Sequence, residues 1–237
     1  MTCAPLAAAF AVSVLAAGCS RPAEVRDAFS STGEVIALSG GSGGAVNACA
    51  SCHGLKGEGD GNLSPRLAGL SQGYIERQIG FYADGQRINP RMVAVANALT
   101  GDELQKVAAY YAGLPTALRQ TCAPAPSAAE ALYRGGDPTR SIASCASCHG
   151  ADGEGNAGNP PLSGQPAPYL ERQLAAWQTG DRYGDPLGMM SRISKALTPS
   201  ESAALSAYAA GLSGGLGYRE PPGGCPPTRR ALPNSGA

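Results

Sequence analysis

The stretch Cys49-Ala50-Ser51-Cys52-His53-Gly54 recurs, residue for residue, as Cys145-Ala146-Ser147-Cys148-His149-Gly150. The repeat extends well beyond these six residues. Ala37-Leu38-Ser39-Gly40-Gly41 parallels Leu132-Tyr133-Arg134-Gly135-Gly136, and Pro65-Arg66-Leu67-Ala68-Gly69 parallels Pro160-Pro161-Leu162-Ser163-Gly164. Tyr74-Ile75-Glu76-Arg77-Gln78 parallels Tyr169-Leu170-Glu171-Arg172-Gln173. Two copies are too few for a solenoid, so the repeat predicts two homologous domains. The expected division is a signal segment over 1–18, a lipidated N-terminus and tether over 19–33, domain one over 34–114, a linker over 115–128, domain two over 129–214, and a Gly/Pro-rich tail over 215–237.

The regular structure should be helical throughout. Ile75, Ile79 and Tyr82 recur at i, i+4 and i+7, as do Leu170, Leu174 and Trp177, and each set forms one apolar helix face. A second helix should close each domain. Thr100-Gly101-Asp102-Glu103 and Thr198-Pro199-Ser200-Glu201 both fit the capping box, in which hydroxyl and carboxylate satisfy the first backbone amides of a helix. The inner faces are then Leu104, Val107, Tyr111 and Leu114 in one domain and Leu205, Tyr208 and Leu212 in the other. No segment reads as a strand. The expected fold class is all-α, in two tandem small helical domains.

Composition narrows the function. The 18 Lys and Arg residues balance the 18 Asp and Glu, which argues against a nucleic-acid binder, since that needs a basic face. Three Phe and one Trp among 237 residues are a thin supply for two cores. A large flat apolar cofactor can stand in for the missing aromatic filling.

Cys-x-x-Cys-His is the attachment signature of c-type haem. The thiols of Cys49 and Cys52, and of Cys145 and Cys148, add across the haem vinyl groups, and the adjacent His53 or His149 lies under the iron as proximal ligand. Rival readings fare worse. A thioredoxin-like dithiol belongs near a βαβ pattern, and none is visible. Zinc takes about four ligands per site, and the only two histidines both lie inside the motifs. Two covalently bound haem c groups are therefore expected.

With no spare histidine, the sixth iron ligand should be Met. Met92-x-x-Val95-Ala96-x-x-Leu99 aligns with Met190-x-x-Ile193-Ser194-x-x-Leu197, which selects Met92 and Met190, with Met189 the alternative in domain two. A ligating His usually donates its other ring N–H to a carbonyl or carboxylate. The carbonyls of Pro65 and Pro160 are the expected acceptors, and Leu67 and Leu162 the expected haem contacts. Tyr74, Arg77, Tyr169 and Arg172 recur in register and are candidates to meet the haem propionates.

The N-terminal run from Pro5 to Gly18 is too short to span a bilayer and suits a secretory signal. It ends Leu15-Ala16-Ala17-Gly18-Cys19, which resembles a bacterial lipobox and predicts a lipid on Cys19; an ordinary signal cut nearby is the alternative. Cys122 and Cys225 are the remaining thiols of the mature chain, and an oxidising compartment favours a disulfide between them.

On Leu132-Tyr133-Arg134-Gly135-Gly136, the Cys145–Gly150 motif, Pro161-Leu162-Ser163-Gly164-Gln165, Tyr169-Leu170-x-x-Gln173-Leu174, Met189-Met190 and Tyr208-x-x-Gly211-Leu212, the chain resembles the dihaem cytochrome c4 family. The likeness covers about residues 34–214; the lipobox, Cys122 and Cys225 lie outside the family pattern. The resemblance implies two class I cytochrome c domains with haem edges turned toward each other across the domain interface. It implies one-electron carriage in the periplasm between redox protein partners, typically toward a terminal oxidase of a respiratory chain, with no catalytic acid or base. The rival is an enzyme, a dihaem peroxidase or a thiosulfate-oxidising dihaem cytochrome, in which one haem has an open or unusual axial position. A third reading makes the chain a fixed subunit of a larger respiratory complex.

Overall fold

The computed structural model describes residues 32–116, 127–156 and 158–215. The signal segment, the Cys19 lipobox, Cys122 and Cys225 lie outside the described residues. Domain one contains α1 (Gly33–Ser39), α2 (Ala50–His53), α3 (Gln72–Ala83), α4 (Pro90–Ala98) and α5 (Gly101–Gly113). Domain two repeats the order with α6 (Ala128–Gly135), α7 (Ala146–His149), α8 (Ala167–Thr179), α9 (Met189–Ala196) and α10 (Pro199–Ala210). Gly33, placed in the tether by the sequence, opens α1, whose N-cap is Thr32. Among the described residues there is no sheet, only isolated β-bridges.

In each domain the first helix packs on the last, and the last packs on the long middle helix: α1 and α3 against α5, α6 and α8 against α10. Ile36, Leu70, Ile75, Val107 and Tyr111 form the first core, and Tyr133, Leu170, Ile193, Leu205 and Tyr208 the second. Both capping boxes form, at Thr100/Glu103 and Thr198/Glu201. The two glutamates then diverge. Glu103 is buried and accepts from the Ser42 backbone N–H at 2.7 Å, tying the Gly41–Gly43 turn to α5. Glu201 instead pairs with Arg140 at 2.7 Å near the surface, where solvent screens the pair and leaves it little weight in stability. One local motif thus anchors two different loops, and only the packing decides which.

The domains meet through polar contacts. Arg66 N–H donates to Gln165 Oε1 at 3.0 Å, and Gln165 Nε2 donates back to the Arg66 carbonyl at 2.9 Å. The segments after α3 and α8 run antiparallel across the boundary: Ile88 N–H donates to the Asp181 carbonyl at 2.7 Å and Tyr183 N–H to the Gln86 carbonyl at 2.8 Å. These bonds bring Arg87 beside Arg182.

Candidate haem-binding sites

The motif residues form a single helical turn in each domain. Cys49 stands at the N-cap of α2 and His53 at its last position; Cys145 and His149 hold the same places on α7. Residues three apart on a helix share a face, so Cys49 and Cys52 lie on one side, as do Cys145 and Cys148. The turn must stop at once after the histidine, because the chain has to fold back beneath it. Gly54 (φ 82°, ψ 156°) and Gly150 (φ 84°, ψ 151°) provide that reversal in a region closed to other residues. The returning loop is pinned by Gly59 N–H on the His53 carbonyl and Gly155 N–H on the His149 carbonyl, both at 2.8 Å.

Both histidines are buried, each 8% exposed. His53 Nδ1 lies 2.9 Å from the Pro65 carbonyl oxygen, and His149 Nδ1 lies 2.8 Å from that of Pro160. A carbonyl only accepts, so Nδ1 carries the proton and the Nε2 lone pair is left for a metal. Burial holds both imidazoles below their ordinary pKa, which keeps them neutral as ligation requires. Burial also pushes the Cys49 and Cys145 thiols up to about 11, opposite to the shift a redox-active dithiol needs. Among the described residues, no three His, Cys, Asp or Glu side chains converge to hold a metal ion.

In domain one Cys49, Cys52, His53, Pro65, Leu67 and Met92 all line one cavity of about 300 Å³. Its remaining walls are largely apolar, with Ile75, Ile79, Val95 and Leu99 among them. Tyr169, Arg172 and Gln173 reach into the same wall from domain two. In domain two Cys145, Ala146, Leu162 and Met189 pack against the second core.

The methionines occupy matched helix starts. Met92 N–H donates to Asn89 Oδ1 at 3.1 Å at the head of α4, and Met190 N–H donates to Asp185 Oδ2 at 2.7 Å at the head of α9. Met189 Sδ lies 3.7 Å from Arg192 Nη2. Both amides are thus held by an upstream side chain, that of Met92 by the N-cap residue three before it and that of Met190 by the residue five before it. Of the four residues suggested for the propionates, Tyr74, Tyr169 and Arg172 line the cavity. Arg77 does not; it donates to the Gly158 carbonyl at 2.9 Å.

The structure adds residues that the sequence reading passed over. Arg87 and Arg182 are buried between the domains, with Gln78 and Gln173 between them. Trp177 Nε1 is buried without a hydrogen-bond partner, and its ring lies 4.0 Å from the Arg182 guanidinium carbon. The signal was present in the repeat: Gly85-Gln86-Arg87 and Gly180-Asp181-Arg182 follow the two Tyr-x-x-x-Gln segments in the same register. A haem c fits these residues: paired thiols beside a neutral imidazole with a free Nε2, an apolar slot, and an orphaned indole donor that a carboxylate oxygen would satisfy.

Comparison with known proteins agrees. The cytochrome c family model matches residues 41–114 and again 140–213. The thiosulfate dehydrogenase electron acceptor of Stutzerimonas stutzeri is 38% identical over 186 residues, covering 76% of this chain and 86% of that protein. Cytochrome c4 of Thiocapsa roseopersicina is 37% identical over 168 residues, covering 70% and 87% respectively. Among solved structures, reduced cytochrome c4 from Pseudomonas stutzeri superposes with a TM-score of 0.64 at 29% identity, over 69% of this chain and 93% of that one. Thiosulfate dehydrogenase (TsdBA) from Marichromatium purpuratum gives a TM-score of 0.66 at 39% identity over 76% of this chain, which spans only 39% of that longer one. The chain belongs to the cytochrome c family, and within it to the tandem dihaem cytochrome c4 group, whose two domains each carry one covalently bound haem c.

Proposed function

We propose that the chain is a periplasmic, membrane-tethered one-electron relay that accepts electrons from a thiosulfate dehydrogenase and passes them toward a terminal oxidase. The observation that carries the relay reading is the likeness of the two sites: the same buried His–carbonyl pair occurs in both domains. An enzyme would need one site built differently. The donor is suggested by two relatives named as thiosulfate dehydrogenase electron acceptors, at 38% and 36% identity. The oxidase follows from the electron-carrier role of the cytochrome c4 group.

In this reading Cys49 and Cys52 hold one haem and Cys145 and Cys148 the other. His53 with Met92, and His149 with Met190, would hold the two irons. When bound, the haem supplies one-electron Fe(III)/Fe(II) chemistry. The protein does the rest. Pro65 and Pro160 fix the imidazole tautomers, Leu67 and Leu162 close the apolar walls, and the thioether sulfurs favour the reduced metal. No side chain needs to gain or lose a proton.

Mixing the oxidised holoprotein with a thiosulfate dehydrogenase and thiosulfate should reduce both haems, two electrons per chain. The chain alone should leave thiosulfate unchanged, and its reduced spectrum should not respond to carbon monoxide. Thiosulfate oxidation by the chain alone, or a carbon monoxide band from half the haem, would overturn the relay in favour of an enzyme.

The tether is proposed from the lipobox at Cys19. Cys19→Ala should move the protein from the membrane fraction to the soluble fraction, or leave it unprocessed. Correctly processed Cys19→Ala protein that still sediments with membranes would refute the anchor.

A further inference from the structure

The space between the first and last helix holds a buried tyrosine in both domains, but the two come from opposite helices. The C-capping glycines Gly40 and Gly136 align α1 with α6 and put Ala37 in register with Tyr133. The capping boxes at Thr100 and Thr198 align α5 with α10 and put Tyr111 in register with Ala209. All four are buried. Domain one thus pairs alanine on its first helix with tyrosine on its last, and domain two does the reverse. The first helix packs on the last in each domain, so one ring fills the gap either way. Both rings lean on the matched tyrosine of the last helix, Tyr111 on Tyr110 with centroids 5.2 Å apart and Tyr133 on Tyr208 at 5.4 Å.

The exchange gives the two hydroxyls different surroundings. That of Tyr133 donates to the Gly150 carbonyl at 2.9 Å, so its one proton is committed to the backbone. That of Tyr111 is buried with no hydrogen-bond partner, and a buried donor left so costs free energy. Tyr111 lines the domain-one cavity with Cys49, Cys52 and His53. After burial, the neighbouring Cys49 thiol is the strongest influence on its hydroxyl. Haem attachment changes what that neighbour offers. A thiol donates and accepts weakly, whereas a thioether sulfur only accepts. An alkylated Cys49 therefore has lone pairs and no proton, and the Tyr111 hydroxyl holds the proton to match.

We propose that Tyr111 is a positioning residue of the first haem site alone, its hydroxyl donating to the Cys49 sulfur once the thioether has formed. The proposal rests on the reading of both motifs as haem attachment sites. A donor on that sulfur draws electron density from the attached edge and favours the reduced metal, in the way hydrogen bonding around a redox centre sets its potential. Domain two has a ring in the same space with its hydroxyl turned to the backbone. The exchange of Tyr and Ala between the helices thereby makes two otherwise similar sites unequal.

The test compares the two-haem holoprotein with Tyr111→Phe and Tyr133→Phe, counting haems per chain and titrating both potentials spectroelectrochemically. Tyr111→Phe should lower one potential and leave the other in place. The expected change is about threefold in the reduced-to-oxidised ratio, or about 28 mV at roughly 59 mV per tenfold for one electron. Tyr133→Phe should lose stability with its Gly150 bond but move neither potential. In heavy water, wild-type holoprotein should show a shifted carbon–sulfur stretching band in its resonance Raman spectrum, and Tyr111→Phe should lack that shift. Two haems with unmoved potentials in Tyr111→Phe, or with both moved equally, would overturn the role of Tyr111 and leave the haem sites standing. An equal shift in Tyr133→Phe would overturn it too, since ring packing alone would then account for the effect. A wild-type chain carrying fewer than two haems would overturn the sites and the proposal together. If Tyr111→Phe does not assemble, the wild-type Raman spectrum decides, and a carbon–sulfur band unmoved by heavy water refutes the donor.

Discussion

Met92→Ala and Met190→Ala should each open one iron coordination position while leaving the other haem as it was. The oxidised holoprotein of either variant should lose about half of the weak far-red sulfur-to-iron band and gain carbon monoxide binding at half the haem. The affected potential should fall by a substantial part of the roughly 0.8 V range that axial ligation spans, because the thioether favours the reduced metal. Covalent attachment should survive, since it needs only the cysteine pairs. The double variant should lose the whole band. Met189→Ala should leave the spectrum almost unchanged, because aligning the two copies of the repeat matches Met190, not Met189, with Met92. If Met189→Ala removes half the band and Met190→Ala does not, the ligand register in domain two is displaced by one residue.

Gly150→Ala should destabilise the second domain by about 3 kcal/mol. A side chain in this backbone region costs about 1–3 kcal/mol. An added Cβ would also lie 2.2 Å from the Glu154 carboxylate. Displacing Glu154 would break its 2.9 Å bond to the Asp152 N–H, about 1 kcal/mol more. The 2.9 Å bond from the Tyr133 hydroxyl to the Gly150 carbonyl would be strained as well. The denaturation midpoint of the holoprotein should drop, and the yield of chains carrying two covalent haems should drop with it. Gly73→Ala is the matched control. No atom crowds that position on α3, so alanine there should stabilise by about 0.4–1 kcal/mol through the unfolded chain. Wild-type stability in Gly150→Ala would show that the reversal after the histidine is not required.

What could be read from the residues is what depends on near neighbours in the chain. Thr100 and Glu103 cap α5 wherever that helix packs, because hydroxyl, carboxylate and amides are all within one turn. The same holds for the cysteine pairs and their histidines. A single helical turn fixes that constellation, and one glycine ends it. The tandem all-α architecture follows from the internal repeat together with the two apolar faces that the helical period exposes. The pairing of Met92 with Met190 rests on aligning the copies rather than on any local signal.

The interface was not legible in this way. Arg77 and Arg172 stood out because they lie inside the repeated helix, yet Arg77 reaches the Gly158 carbonyl while Arg172 lines the cavity of the opposite domain. Arg87 and Arg182 lie in the segments that follow those helices, where periodicity carries no information. Their burial arises only when the two segments pair antiparallel across the boundary. Sequence by itself therefore determined the haem chemistry, the helical class and the duplication, since each rests on contacts within a turn or on identity between copies. Tertiary structure alone decided that Arg87 and Arg182 are buried side by side where the two halves meet, because the atoms that meet there come from separate domains and no local propensity links them.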